Sequence, residues 1–185
     1  MARSKRQNKR SKKTNSRGYL DRNKTVKTRE TIQRFLIVCE GEKTEPNYFK
    51  SFRVPGNVEI IVLGLGENPI KLVKEAMEMS KKEEEYDQVW CVFDRDDWEP
   101  NDFNGAITCA EKNEIKIAYS NEAFELWYLL HFYYRDTAMS RKSYKGELTK
   151  KLREAKLISN SKKYEKNSEE MYGFLEDKQS QAIKN

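Results

Sequence analysis

The sequence has few cysteines and a single histidine. Three cysteines, at positions 39, 91 and 109, are spread over 185 residues. An odd number of widely spaced cysteines fits neither a disulfide framework nor a zinc site. Cys39 and Cys91 lie inside apolar runs, where cysteine behaves as a small core residue. A disulfide-rich or zinc-binding class of protein is therefore not indicated.

Long apolar runs are also absent. No stretch reaches the length of about eighteen apolar residues that a membrane-spanning helix needs. The opening residues lack the apolar segment of a secretory signal, so we expect a cytoplasmic protein without membrane contact. There is no internal repeat and no Walker motif, so any dependence on ATP would come from a partner protein.

Charge is distributed unevenly along the chain. Residues 1–34 hold thirteen Lys or Arg and two acids, whereas the remainder holds 23 basic and 28 acidic side chains. We predict that residues 1–33 form a disordered basic tail, because so polar a segment buries too little surface to fold alone. Basic arms contact phosphate backbones without reading sequence, although such a tail can also serve only solubility. The residues predicted to bind nucleic acid are Lys5, Arg6, Lys9, Arg10, Lys12 and Lys13.

Apolar runs alternate with amphipathic segments from residue 34 onward. The apolar runs predict four strands, at residues 34–40, 58–66, 87–93 and 114–120. The segments that follow the strands predict helices, at residues 45–53, 68–86, 101–113 and 122–134. This order predicts an α/β fold with a mostly parallel four-stranded sheet flanked by helices. Polar segments at 143–157 and 165–177 predict C-terminal helices. We expect one domain over residues 34–185, with a core at 34–134 and a helical extension at 135–185.

Acidic side chains follow the predicted strands at their carboxyl ends. The first strand ends at Glu40, and the third runs directly into Asp94, Asp96 and Asp97. Ligands of open parallel sheets bind beyond the carboxyl ends of the strands, so these acids are expected to meet in one crevice. Carboxylates crowded together raise each other's pKa and oppose folding, a conflict that a divalent cation would remove.

Magnesium suits this donor set, because it takes one or two carboxylates together with water and phosphate oxygens. Asp94 and Asp96 are two residues apart at a strand end, so their side chains can point the same way and hold one ion. Glu40 is then a further ligand or a general acid/base, and Gly41 leaves room for a substrate backbone. We predict Mg²⁺ or Mn²⁺ as the cofactor.

Three segments resemble the signatures of the RloB-like proteins: LIVCEGEKTEPNYF (36–49), FDRDDW (93–98) and SNEAFELWYLLHF (120–132). RloB-like proteins are similar to the Toprim superfamily, whose domain has a glutamate after the first strand and an Asp-x-Asp pair after a later one. The resemblance covers residues 34–134 and extends less specifically into the C-terminal helices. It implies a Toprim-like, Rossmann-like fold that cleaves phosphodiester bonds with a metal ion.

The resemblance also implies roles for single residues. Glu40 takes the place of the Toprim glutamate, and Asp94 and Asp96 take the places of the Asp-x-Asp pair. Glu125 lies in the FELW segment, where an acid can join the metal ligands. Glu122 stands where the family pattern leads us to expect proline, with Asn121 before it as the expected helix N-cap. Helix-start acids also suit the helix dipole without any further role.

RloB-like proteins are associated with bacterial phage defence, often beside an ATPase partner. The resemblance therefore implies a Mg²⁺-dependent nuclease that cuts RNA or DNA as the toxic effector of an antiphage, abortive-infection system. The sequence leaves the oligomeric state open, and a homo-oligomer is one option.

Five further residues have both a functional and a structural interpretation: Glu42, Lys43, Arg95, Asp97 and His131. Glu42 and Lys43 would contact phosphate or would be ordinary loop charges. Arg95 would contact phosphate or would offset the charge of its acidic neighbours. Asp97 is either a further metal ligand or a turn residue. A lone histidine in a helix is more often a core residue than a catalytic base.

Three functional classes remain open. The first is the metal-dependent nuclease. The second is a receiver-like phosphoacceptor, with Asp94 as acceptor and Ser120 after the fourth strand, which would need a lysine after a fifth strand that the pattern does not contain. The third is a non-catalytic adaptor of a defence ATPase or nucleic-acid complex, in which the acids bind a structural ion or a basic surface. The nuclease requires that Glu40 and Asp94 meet.

Overall fold

A computed structural model describes residues 31–82, 86–95 and 98–185 of the chain. The described residues form four strands: β1 (Gln33–Cys39), β2 (Val58–Gly64), β3 (Gln88–Arg95) and β4 (Lys116–Asn121). β1 and β3 are buried at successive positions, as expected for strands covered on both faces. Their sequences are accordingly continuous apolar runs and not alternating ones.

The described residues also form seven α-helices: α1 (Thr44–Lys50), α2 (Pro69–Lys82), α3 (Pro100–Lys112), α4 (Glu125–Leu130), α5 (Arg141–Glu154), α6 (Met171–Leu175) and α7 (Gln179–Lys184). A 3₁₀ turn at Glu176–Lys178 joins the last two. Proline opens α2 and α3, where its missing amide removes no intrahelical bond. Across the described ranges, no helix combines the length and apolar character that crossing a bilayer requires.

All four strands are parallel and lie in the order β2-β1-β3-β4. The predicted α/β class, a parallel four-stranded sheet between helices with further C-terminal helices, is confirmed. β2 lies on one side of β1, and β3 and β4 lie on the other. The order in which strands are added therefore reverses between β1 and β3, which makes this point the topological switch point of the sheet. Sheets of this kind bind ligands at that switch point.

Two hydrophobic cores cover the two faces of the sheet. On one face, α2 and α3 pack on β1 and β3 through residues that include Leu72 and Cys91. On the other face, the core joins α1 and α4 to the C-terminal helices, with Tyr48, Leu148 and Leu175 almost completely buried. The C-terminal helices therefore belong to the same core as the sheet that they cover.

Two predicted helices begin three or more residues later in the structure. The helix expected over 122–134 is α4, and Asn121 is the last residue of β4 instead of its N-cap. The reason is a turn at Glu122, whose φ of +70° lies in the left-handed region and cannot continue a right-handed helix. The helix expected over 165–177 begins only at Met171, because hydrogen bonds to other elements hold the preceding residues in a loop.

Candidate functional site: an acidic cleft at the switch point

A cleft of about 450 Å³ opens at the carboxyl ends of β1 and β3, where the sheet changes direction. Its walls are the β1–α1 loop, the end of β3, the starts of α4 and α5, and the loop that precedes α6. Acidic side chains outnumber basic ones in the lining. The acids are Glu40, Glu42, Glu45, Asp94 and Glu125, and the basic residues are Lys43, Arg141 and Lys166.

Glu40 and Asp94 meet in this cleft. The Glu40 Oε2 atom accepts a hydrogen bond of 2.9 Å from the backbone amide of Asp94, 54 residues further along the chain. Its Oε1 atom accepts a hydrogen bond of 3.2 Å from the indole Nε1 of Trp98. The backbone amide of Glu40 donates to the Val92 carbonyl at 2.8 Å and extends the pairing of β1 with β3. Two strands thus fix the orientation of one carboxylate.

Asp94 carries a strongly perturbed carboxyl group. Only 14% of its side chain is exposed, and its Oδ2 atom lies 3.4 Å from a guanidinium nitrogen of Arg141. Burial, with smaller contributions from Glu45 and Glu40, raises the pKa of Asp94 to about 7, whereas Arg141 opposes the rise. A carboxyl group in this condition favours an additional positive charge beside it.

Glu45 is the most deeply enclosed acid of the cleft, at 5% exposure. Burial raises its pKa, and Glu40 and Glu125 contribute in the same direction. Its Oε2 atom is buried and has no hydrogen-bond partner among the described residues. Gly41 is what admits this carboxylate, because a Cβ at position 41 would lie 2.8 Å from the Glu45 Cδ atom. The space predicted for a substrate backbone at Gly41 is therefore taken by Glu45.

Glu125 closes the far side of the cleft at the first residue of α4. It is 7% exposed, and its Oε1 atom accepts a hydrogen bond of 3.1 Å from the Tyr164 hydroxyl. Burial and the Glu125 charge raise the pKa of Tyr164, so the phenol stays a proton donor to this carboxylate. The contact ties the C-terminal region of the domain to the cleft.

The remaining predicted site residues divide into three groups. Glu42 and Lys43 line the cleft. Arg95 packs its guanidinium over the Phe103 ring, at 5.6 Å from the centroid. His131 is a core residue, 2% exposed, whose Nδ1 pairs with the Trp127 carbonyl at 2.8 Å, and burial lowers its pKa.

Other predicted residues lie outside the described ranges. They are Asp96 and Asp97 after β3, and the tail residues Lys5, Arg6, Lys9, Arg10, Lys12 and Lys13. Their predicted roles in metal binding and nucleic-acid binding stay predictions.

The chemistry of the cleft suits a hard divalent cation. Within the described ranges, no three Asp, Glu, His or Cys side chains lie close enough together to enclose an ion. Mg²⁺ does not require such a cage, since it keeps several waters and takes one or two carboxylates with substrate phosphates. The unpartnered oxygen of Glu45 and the raised pKa of Asp94 both indicate that the cleft favours positive charge. Asp94 and Glu45 fit as the residues that would hold the ion, with Glu40 beside them.

Three charged residues of the cleft are missing from the sequence-based prediction: Glu45, Arg141 and Lys166. Glu45 looks like a helix-start acid, because it precedes Pro46 in the first turn of α1. Arg141 and Lys166 look like members of a polar helical stretch. For Arg141 and Lys166, the one sequence signal is the richness of residues 141–167 in lysine and arginine.

Comparison with protein families gives a match to the RloB-like protein family over residues 35–185. The chain belongs to the RloB-like protein family. The resemblance drawn from three short segments is thereby confirmed. The match reaches through the C-terminal region, in which α5 contributes Arg141 and the loop before α6 contributes Lys166 to the RloB-like cleft. Curated proteins give no significant match to the sequence.

Proposed function

We propose that this RloB-like protein is a metal-dependent nuclease that hydrolyses phosphodiester bonds of RNA or DNA with Mg²⁺ or Mn²⁺. One observation supports the proposal most directly: the Glu40 carboxylate accepts a hydrogen bond of 2.9 Å from the Asp94 backbone amide. Acids from two segments that are distant in sequence therefore share one cleft. The position of the cleft at the switch point of a parallel sheet gives independent support, because ligands bind there.

The residues of the cleft have separable tasks in this reaction. A bound Mg²⁺ would polarise the phosphate and lower the pKa of an attacking water. Asp94 and Glu45 supply the negative charge that attracts the ion. Glu40, held by Trp98 and the Asp94 amide, is oriented to accept a proton from water. Arg141 is half-exposed beside Asp94, and its planar guanidinium suits a phosphate group.

The proposed cellular role follows from the family resemblance. A nuclease of this kind would be the toxic effector of an antiphage, abortive-infection system. An ATPase partner would then supply the dependence on nucleotide that the sequence itself does not encode.

One observation favours a second function, that of a non-catalytic adaptor. The lining of the cleft holds five acidic and three basic side chains, so it complements a cationic group. An acidic cleft without a catalytic ion would bind a structural cation or a basic segment of a partner protein. The two functions differ in whether nucleic acid is cut.

The test is cleavage of end-labelled RNA, single-stranded DNA and duplex DNA by the full chain in Mg²⁺, Mn²⁺ or EDTA. We expect cleavage of at least one substrate with metal and none in EDTA. Glu40→Gln and Asp94→Asn should each lower the rate by a factor of about 100 or more, since Glu40 would accept the proton of the attacking water and Asp94 would hold the ion.

Glu78→Gln is the matched control, because Glu78 is an exposed glutamate on α2, on the opposite face of the sheet. It should cut like the unchanged protein, and circular dichroism should show that all variants fold. Cleavage that persists in both cleft variants would overturn the assignment of the site. Absence of cleavage of every substrate, with Mg²⁺ still raising the melting temperature, would favour the adaptor.

A further inference from the structure

The positive charge of the folded domain is concentrated in one segment. Residues 141–167 hold ten Lys or Arg and three Glu, whereas residues 35–140 hold eleven Lys or Arg and 21 Asp or Glu. The basic segment comprises α5 and the loop that precedes α6, and it contributes Arg141 and Lys166 to the wall of the acidic cleft. The two opposite charge densities are therefore neighbours in space.

Helix α5 begins at the cleft. Arg141, its first residue, donates to the Glu122 carbonyl at 3.0 and 2.8 Å and lies 3.4 Å from Asp94. Tyr144 donates to the Asn121 carbonyl at 3.2 Å and holds the same turn of the helix against β4. Lys145 lies one helical turn beyond Arg141 on the same side, so the positive charge continues outward from the cleft.

The loop at residues 162–167 is tied down at both ends. At its start, the Lys162 carbonyl accepts hydrogen bonds of 2.9 and 2.7 Å from Arg153 of α5, and the Tyr164 amide donates to the Thr149 hydroxyl at 3.0 Å. At the other end, the Thr44 hydroxyl donates to the Asn167 side chain at 2.6 Å, which fixes the loop to α1. This arrangement holds Lys166 in the cleft wall.

We define the basic rim as Arg141, Lys142, Lys145, Lys163 and Lys166. All four lysines are exposed, and none of them forms an ion pair with any carboxylate of the described ranges. An ordinary solvated helix face interleaves charges of both signs and pairs them at one-turn spacing. Within this segment, Lys151 and Glu154 form the one ion pair along the helix.

We propose that the basic rim binds the phosphate backbone of a single nucleic-acid strand and leads it into the acidic cleft. This inference rests on the proposed nuclease function and assigns the path of its substrate. Exposed lysines attract a polyanion, whereas the acids alone would repel it, so the rim supplies the affinity that the cleft lacks. A cleft of about 450 Å³ has the size of pockets that enclose small-molecule ligands, so it admits a nucleotide unit and not a duplex.

The experiment measures binding separately from cleavage. The full chain is titrated in EDTA with fluorescent single-stranded RNA, single-stranded DNA and duplex DNA, at several salt concentrations. The rim variant carries Lys142→Gln, Lys145→Gln and Lys163→Gln, none of which lines the cleft. We expect it to bind both single strands roughly 10- to 100-fold more weakly and to lower the salt slope by about 2, since each phosphate contact to a single strand contributes about 0.7.

The control variant carries Lys74→Gln, Lys81→Gln and Lys112→Gln, exposed lysines of α2 and α3 on the opposite face of the sheet. Both variants have the same net charge and keep residues 1–30 unchanged, so a difference between them reports the rim alone. Equal binding by the two variants would overturn the proposal. Duplex binding as tight as single-strand binding, and equally sensitive to the rim, would overturn the single-strand assignment.

The result also separates this inference from the nuclease proposal. Binding that depends on the rim, without cleavage in Mg²⁺, would support the rim as a nucleic-acid-binding surface and contradict the nuclease proposal. Cleavage by a protein whose binding does not depend on the rim would support the nuclease and contradict the rim proposal.

Discussion

Gly41 is the residue on which the packing of the cleft depends most directly. Replacing it with alanine would put a Cβ 2.8 Å from the Cδ atom and 2.9 Å from the Oε1 atom of Glu45, whose buried side chain would have to shift. We expect Gly41→Ala to lower the free energy of unfolding by about 1–3 kcal/mol, as overpacking does in other cores. Urea denaturation monitored by circular dichroism measures the change.

Gly146→Ala is the matched control for that substitution. Gly146 lies within α5, and a Cβ there meets nothing within 4 Å. Alanine is favoured over glycine in a helix interior by about 0.5–1 kcal/mol, so this variant should be slightly more stable. Equal destabilisation by both changes would show that crowding against Glu45 is not the cause.

Asp94 makes the stability of the protein depend on pH. Burial raises its pKa to about 7 in the folded state, against about 3.9 in an unfolded chain. Between these values the folded state holds a proton that the unfolded state has released, so the free energy of unfolding falls as pH rises from about 4 to 7. At about 1.4 kcal/mol per pKa unit, the loss from this group approaches about 4 kcal/mol.

Asp94→Asn should remove that part of the pH dependence and be more stable than the unchanged protein at pH 8 in EDTA. Saturating Mg²⁺ at pH 8 should then stabilise the unchanged protein, by about 2.7 kcal/mol at a hundredfold excess over Kd, and should stabilise the variant less. Melting curves at pH 5 and pH 8 measure both effects. A variant with the same pH profile as the parent would contradict the raised pKa.

Single residues differ in how far the sequence reveals them. Glu40 and Asp94 stand at the ends of continuous apolar runs, and a strand end in a parallel sheet has a known functional edge. Glu45 does not stand out, because its burial depends on the missing side chain of Gly41 and on contacts formed only in the folded chain. The sequence therefore predicts the acids at strand ends, Glu40 and Asp94, but does not predict the buried acid Glu45.

At the scale of elements, the turn between β4 and α4 is the feature with the sharpest consequence. Glu122 has a φ of +70°, and its amide donates to the Arg95 carbonyl at 2.9 Å. Proline, which the family pattern leads us to expect here, allows neither, since its φ is fixed near −65° and it has no amide hydrogen. The β4–α4 turn of this chain is therefore built for a residue other than proline.

Glu122→Pro should lower the free energy of unfolding by roughly 2–4 kcal/mol, from the lost hydrogen bond and the forced change of φ. Glu122→Gly should raise it by up to about 1 kcal/mol, because glycine adopts positive φ without strain. Thermal and urea unfolding of the two variants test the turn. A proline variant as stable as the parent would show that this backbone conformation is not required.

Periodicity explains which elements the sequence predicts. The four strands and the helices between them follow from apolar runs and helical spacing. Strands covered by helices on both faces need continuous apolar runs, and the covering helices need one apolar face. The loop before α6 has no such signal, and residues 165–170 were predicted as helix. That loop is fixed by side chains from Thr44 and Thr149, which are distant in sequence, so local propensity does not report it.

At the scale of the whole molecule, the two cores share one sheet and should unfold together. Leu72 and Leu148 are both fully buried, one on each face, and Leu148 belongs to the C-terminal helices. Leu72→Ala and Leu148→Ala should each cost about 2–5 kcal/mol and keep a single unfolding transition. Two separate transitions in the Leu148→Ala variant would show that the C-terminal helices fold independently.

Charge at this scale shows the limit of averaged composition. Beyond residue 34 the chain carries 23 basic and 28 acidic side chains, which predicts a mildly acidic body. The folded domain instead places an acid-rich cleft against a segment with ten basic and three acidic residues. The average composition does not reveal that the acidic cleft and the basic segment are neighbours, because neither the position of α5 nor its contact with β4 can be deduced from residue counts.

Long-range contacts give the cleft an order of assembly during protein synthesis. Glu40, Asp94 and Glu125 emerge from the ribosome before Lys166, and before Gln179, whose side chain donates to the Tyr48 hydroxyl across 131 residues at 2.6 Å. A nascent chain therefore carries these acids while the wall that encloses them is still unmade. Lys166 and Asn167 are the last residues of the cleft wall to be translated, so the complete cleft forms late in synthesis. Such a delay would matter for the proposed nuclease, which would be able to damage the cell's own nucleic acids.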